Sequence, residues 1–217
     1  MTLCLLIMSG CQSEEVSNDM KNATLLQAAE QGNVEQITKL LEDGANINTV
    51  DGRGRTAAMI AVHTNQLELF ELLIEKGADI NIRDQRSDNP LLYAGAEGLL
   101  DFVKVAVAAG ADTTITNRFG GTALIPAADR GHVEVVEELL KTSDVDIDHI
   151  NNLGWTALLE AVLLGDGGER HQQIIQLLVD YGADVNLADG EGITPLQHAK
   201  RLNYGAIVHI LEHAGAH

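Results

Sequence analysis

A chain of 217 residues that is 45% hydrophobic has the material for a sizeable core, which excludes wholesale disorder. Its 32 acidic residues outnumber 14 Lys and Arg, and the resulting net charge of −18 excludes nucleic acid as the main ligand, because affinity for a phosphate backbone comes from positive charge. Aromatic residues make up 3% of the chain, and no apolar run reaches the roughly 18 residues of a membrane span, so close packing of small aliphatic side chains is expected and a membrane-spanning bundle is not.

The chain opens with a short apolar run, Met1 to Met8, followed by the small residues Ser9 and Gly10, then Cys11, and turns abruptly polar. This pattern reads as a processing signal. Met8-Ser9-Gly10-Cys11 resembles the bacterial lipoprotein box, in which a signal peptidase cuts before the cysteine and lipid is attached to it. The resemblance implies a signal peptide over residues 1–10, lipid attachment at Cys11 and a polar tether over 11–21. Gln12 is not the Asp that holds enteric lipoproteins on the inner membrane, so the implied location is the periplasmic side of the outer membrane. Cysteine usage agrees: with Cys4 removed and Cys11 acylated, residues 12–217 hold no free thiol, as suits an oxidising compartment. The alternative is the frayed apolar N-terminus of a cytoplasmic protein.

Beyond residue 21 the sequence repeats. Gly44-Ala-Asn-Ile-Asn48, Gly77-Ala-Asp-Ile-Asn81, Gly110-Ala-Asp-Thr-Thr114 and Gly182-Ala-Asp-Val-Asn186 recur, and Gly215-Ala216 is a truncated last copy. Before each lie two helical blocks and a turn ending in Thr or its equivalent: Ala23, Thr56, Asn89, Thr122, Thr156 and Thr194, spaced 33, 33, 33, 34 and 38 residues apart. The pattern resembles the ankyrin repeat. The resemblance implies an all-α repeat solenoid, with six stacked helix pairs over residues 22–217 joined by β-hairpin loops. Thr or Asn at the turn's end caps the first helix, and Pro90 and Pro195 stand at its first position, where no donor is needed. Pairs such as Leu72-Leu73, Leu139-Leu140 and Leu177-Leu178 are expected to fill the core between repeats.

The sequence departs from the ankyrin pattern in three places. The His of the family's Thr-Pro-Leu-His motif is replaced by Leu26, Met59, Leu92, Ile125, Leu159 and Gln197, so apolar contact is expected where the family uses inter-repeat hydrogen bonds. The fourth repeat ends in Thr142–Asp148 without the Gly-Ala-Asp turn, which predicts looser stacking there. The fifth carries an insertion, Gly165 to Arg170, between its helices.

Candidate chemistry is sparse. The insertion is Gly-rich but has no Lys-Ser/Thr after it, follows no strand, and bears Asp166 and Glu169, which repel anions, so it reads as a plain loop. Residues 142–148 lack the alternating ligands, central Gly and terminal Glu of a Ca²⁺ loop. His209, His213 and His217 recur every four residues; they offer an alternative reading as a metal site, but two ligands on one helical face lack an assured third, so no metal is assigned. No nucleophile–base arrangement has supporting context, and neither catalytic residues nor a cofactor is expected.

Resemblance to ankyrin proteins instead implies a non-catalytic protein-interaction module, a monomer with the hairpin tips and first helices as its concave face. Five of the eight arginines, Arg53, Arg55, Arg83, Arg86 and Arg118, fall in the hairpins of repeats two to four, and Phe119, Leu153 and the sole Trp, Trp155, occupy tips where polar residues are usual. Arg and Trp are enriched at interface hot spots, and Arg offers carboxylates a forked donor that Lys lacks. The candidate partner-binding residues are therefore Arg53, Arg55, Arg86, Arg118, Phe119, Arg130, Leu153 and Trp155. The membrane enters only through lipid on Cys11; a competing reading is a soluble cytoplasmic or exported protein that binds a host target.

Overall fold

A computed structural model describes residues 18–217 in full and the backbone alone of residues 4–17. The signal peptide expected over 1–10 and Cys11, the expected site of lipid attachment, fall outside the fully described residues. Twelve helices and no strand occur among the described residues. The chain divides into two compact units, Met1–Gln85 and Arg86–His217.

The first unit holds α1 (Cys4–Gln31), α2 (Val34–Glu42), α3 (Ala57–His63) and α4 (Leu67–Glu75). The second holds α5 (Pro90–Glu97), α6 (Leu100–Ala108), α7 (Leu124–Asp129), α8 (Val133–Thr142), α9 (Ala157–Leu163), α10 (Glu169–Asp180), α11 (Pro195–Arg201) and α12 (Gly205–His213). Within each unit an odd-numbered helix packs on its even-numbered successor and on the next odd-numbered helix. Odd helices are short and small-residue rich because they are enclosed: Ala57 to Val62 of α3 and Ala157 to Val162 of α9 are buried without interruption. Even helices are amphipathic and bury one stripe, Leu69, Phe70 and Leu73 in α4, Val135, Val136 and Leu139 in α8, Ile174, Ile175 and Leu178 in α10. The core therefore takes one leucine from each pair, with Leu73, Leu139 and Leu178 fully enclosed.

Within each unit, side chains tie successive repeats together. In the first unit the Asn46 N–H donates to Asn22 Oδ1 at 2.8 Å and the Asp79 N–H to Asn48 Oδ1 at 2.9 Å. In the second, the Asp184 N–H donates to Asp148 Oδ1 at 3.0 Å and the His217 N–H to Asn186 Oδ1 at 3.1 Å. A second series runs from the start of an even helix to the end of the preceding repeat's odd helix or the loop after it: Gln66 Nε2 to Ala29 O, His132 Nε2 to Ala96 O, His171 Nε2 to Asp129 O and Tyr204 OH to Gly165 O, all at 2.9–3.1 Å. These polar side chains supply inter-repeat bonds at separate positions, while Met59, Leu92, Ile125 and Leu159, which stand where the family has His, are buried in the core as expected. The fourth repeat is bridged on both sides of its irregular turn, by Thr113 Oγ1 to Asp144 Oδ1 at 2.7 Å and by the Asp148 bond, so the stacking is held there too.

Two local departures have direct causes. The expected insertion is shorter than its sequence suggests, because Glu169 and Arg170 already belong to α10. Gly167 takes a left-handed φ of +70° beneath the Tyr204 ring, where a Cβ would come within 2.5 Å of Cδ1, so both backbone and space require glycine. Residues 18–21, expected as the end of a tether, are helical, since Ala23 offers no side-chain acceptor to start a new helix.

Capping succeeds at four of the expected positions and fails at a fifth. Thr56, Asn89, Thr156 and Thr194 each accept the N–H three residues on, and their carbonyls accept the N–H four residues on. Four residues after Thr122 stands Pro126, which has no N–H. The first helical bond is lost, α7 begins only at Leu124, the Ile125 N–H reaches Thr122 O at 3.3 Å, and the buried Thr122 Oγ1 has no hydrogen bond. Thr156→Ala is expected to cost about 1 kcal/mol, whereas Thr122→Val should be neutral or stabilising because it removes an unsatisfied buried hydroxyl. Urea unfolding of the two variants checks this; equal losses would contradict the capping difference.

Candidate functional site

The loops between repeats are tight turns built on one recurring device. The first residue of the tip accepts two backbone N–H bonds on one side-chain oxygen, from the third and fifth residues. Asp51 binds Arg53 and Arg55, Asn117 binds Phe119 and Gly121, Asn151 binds Leu153 and Trp155, and Asp189 binds Glu191 and Ile193, all at 2.8–3.1 Å. The fourth residue has a left-handed φ, as at Gly120 (+76°) and Gly154 (+81°); Ser87 fills the place in the third repeat at +65°.

This geometry sorts the candidate residues. The third position points outward: Arg53 is exposed, the Arg86 side chain is 62% exposed, Phe119 55% and Leu153 58%. The fifth points back toward the repeat, so Arg55 and Trp155 are half-buried. Arg55 is engaged at 2.7 Å with Asp51 and at 2.6 Å with Glu30 of α1. Burial alone would raise the Asp51 carboxyl, but the Arg55 and Arg53 N–H groups and the Arg55 guanidinium hold it below the usual carboxylate range. Arg130 lies at the C-terminal end of α7 and donates to Ala96 O and Glu97 Oε1, both at 2.7 Å. Arg118, in second position, is exposed and sits over the Phe119 ring at 4.6 Å.

Arg53 and Arg55 belong to the first unit and the other six candidates to the second. In the second unit two bonds join the tips of repeats four and five: the Asn152 N–H donates to Phe119 O at 2.9 Å and His149 Nε2 to Gly120 O at 2.7 Å. Arg118, Phe119, Leu153 and Trp155 are brought onto these adjoining tips, whereas Arg130 is tied to the end of α5. Ile150, 51% exposed and just before the fifth tip, is an apolar residue of this region that the sequence reading missed.

Sequence reasoning also missed Glu160. It is the one charge in Ala157–Leu163, the apolar block that forms α9, and it is only 7% exposed. Asn151, which holds the Leu153 and Trp155 amides with its oxygen, donates from Nδ2 to Glu160 Oε1 at 2.7 Å. Burial, reinforced by the negative charge of Asp129 and opposed by the Asn151 bond, pushes the Glu160 carboxyl up to about 7. The sixth repeat uses the same two positions differently, with His198 Nε2 at 2.7 Å from Asp189 Oδ2. At the C-terminus the His209 and His213 rings lie 6.4 Å apart, but His213 Nδ1 is bonded to its own helix at His209 O. Among the described residues no group of three or more His, Cys, Asp and Glu is placed to hold a metal ion.

Comparison with known proteins agrees with this architecture. A family model described as ankyrin repeats (three copies) matches residues 2–84 and 91–189. The chain is 39% identical over 194 residues to the ankyrin repeat protein YahD of Escherichia coli (strain K12), covering 89% of this chain and 96% of that one. It is similar to the crystal structure of an ankyrin repeat domain from Acinetobacter baumannii AYE, with a TM-score of 0.87 and 48% identity, covering 89% of this chain and 98% of the other. Over 87 residues it is 37% identical to protein phosphatase 1 regulatory subunit 27 of Mus musculus, 40% of this chain and 53% of that protein.

Because the folded-state pKa of Glu160 lies above its value of 4.5 in a free chain, the folded protein binds this proton more tightly than the unfolded one. The associated stabilisation is complete below pH 4.5 and is lost as pH rises through about 7. It amounts to roughly 3 kcal/mol at 1.36 kcal/mol per pKa unit. Glu160→Gln keeps an acceptor for Asn151 without the charge, so it should be the more stable form at pH 8.5 and gain little at pH 4.5. Denaturant unfolding at both pH values checks this; a pH-independent gap would contradict the assignment.

Proposed function

The chain belongs to the ankyrin-repeat family, and from that premise we propose that it is a non-catalytic protein-binding module, monomeric, working through its hairpin tips and the adjoining ends of its first helices. The observation that carries this reading is the tip geometry, in which braced turns direct Arg53, Phe119 and Leu153 into solvent and Arg86 is exposed at the same position of its tip. Ordering these side chains beforehand lowers the cost of binding. One relative is by name a regulatory subunit of a phosphatase, which supports a protein as partner. The net charge of −18 opposes self-association and supports the monomer.

We place the module in the cell envelope, held to the outer membrane by lipid on Cys11. The support is the sequence Met8-Ser9-Gly10-Cys11 and the lack of any other cysteine after residue 11. Lipid on the N-terminal cysteine would leave the repeats facing the periplasm, where the acidic surface keeps the module soluble.

Two experiments test these readings. Capture from envelope extract should recover a partner with the full chain and lose it with the pair Phe119→Ala and Leu153→Ala or the pair Arg53→Glu and Arg86→Glu; unchanged recovery refutes the tips as the binding face. Mass spectrometry should find diacylglycerol on Cys11 in membranes and none in Cys11→Ala. An unprocessed N-terminus on a soluble protein refutes the anchor and favours the cytoplasmic or exported reading.

A further inference from the structure

We propose that the adjoining tips of the fourth and fifth repeats receive an acidic, apolar peptide segment, with an aromatic or aliphatic side chain seated against Phe119 and Leu153 and a carboxylate beside it on Arg118. This rests on the protein-binding reading above and names the chemistry of the partner. Phe119 and Leu153 are 55% and 58% exposed and stand at the outward third position of tips whose backbones are bonded through Asn152 and Phe119 at 2.9 Å. The two apolar side chains therefore leave the protein from neighbouring, rigid turns.

Charge selects the partner. The tips at 51–55, 84–88 and 189–193 each begin with Asp, whereas those at 117–121 and 151–155 begin with Asn and contain no acidic residue. In a chain with 32 Asp and Glu these two tips carry one cation and no acidic residue of their own, and Glu160, bonded beneath Asn151, is buried away from their surface. At physiological salt the screening length is about 8 Å, so a ligand on these tips meets the local charge more than the total of −18. Arg118 is exposed, forms no ion pair among the described residues, and stacks over Phe119 at 4.6 Å. Arg55 and Arg130 already bind Glu30 and Glu97. The stacking holds the forked donor of Arg118 beside the apolar surface, where a partner carboxylate can take both N–H groups.

The test uses the full chain at 0.15 M salt and three fluorescein-labelled 12-residue peptides with the same Trp-Leu centre, flanked by Glu, Gln or Lys, read by anisotropy. The Glu peptide is expected to bind about fivefold more tightly than the Lys peptide, as one well-placed surface ion pair provides. Arg118→Glu should reverse that order and leave the Gln peptide within about twofold, while Phe119→Ala should weaken all three about tenfold. A Lys preference in the unsubstituted chain, or a Glu preference that survives Arg118→Glu, overturns the proposal. So does a concentration-dependent dimer abolished by Phe119→Ala, which assigns the surface to a second copy. Binding of none of the three overturns this peptide chemistry, while the capture experiment judges the broader protein-binding reading separately.

Discussion

A pair of short helices leaves one apolar face that it cannot cover itself, and within each unit of this protein that face is closed by a neighbouring pair. The rest of the structure follows from this need. Odd helices must be small enough to be enclosed on nearly every side, which is why the buried stretches of α3 and α9 are Ala and other apolar residues with Glu160 as the one exception. Even helices need only one buried stripe, so their other faces carry much of the acidic charge. Within each unit, polar groups at the junctions are joined across repeats by Asn and Asp acceptors in one series and by Gln, His and Tyr donors in the other. Burial gives the driving force and these bonds give the register.

The same stacking sets up the surface. A turn that must reach from one helix pair to the next has few conformations, and an Asp or Asn at its start fixes one of them by taking two amides. Once the turn is fixed, the third side chain points to solvent and the fifth returns to the repeat. Surface chemistry can therefore vary at the third position without disturbing the core, from Arg53 through Phe119 to Glu191. Asn151 shows how closely surface and interior are joined, since one amide holds the tip with its oxygen and a buried carboxyl with its nitrogen.

Much of this was readable in the chain itself. The period, the helix pairs and four caps follow from Thr, Asn, Pro and Gly at fixed spacing, because these residues act on the backbone within a few positions. The failed cap at Thr122 was equally present in the sequence, in Pro126 four residues on, and required only counting helical bonds. Glu160 carried a signal as well, a single charge inside an apolar block, although its neighbours Asn151 and Asp129 lie nine and thirty-one positions away in sequence.

The sequence by itself determined the repeat, the order of its helices and the residue types at each tip, since local backbone chemistry and hydrophobic period are written in consecutive residues. Tertiary structure alone decided which tip residues are offered outward and which are spent internally. Arg55 and Arg53 are the same residue type two places apart, yet one is held by Glu30 and Asp51 and the other is exposed. Their difference comes from side-chain direction in a folded turn and from a carboxylate brought up by another helix, and neither is encoded in the spacing.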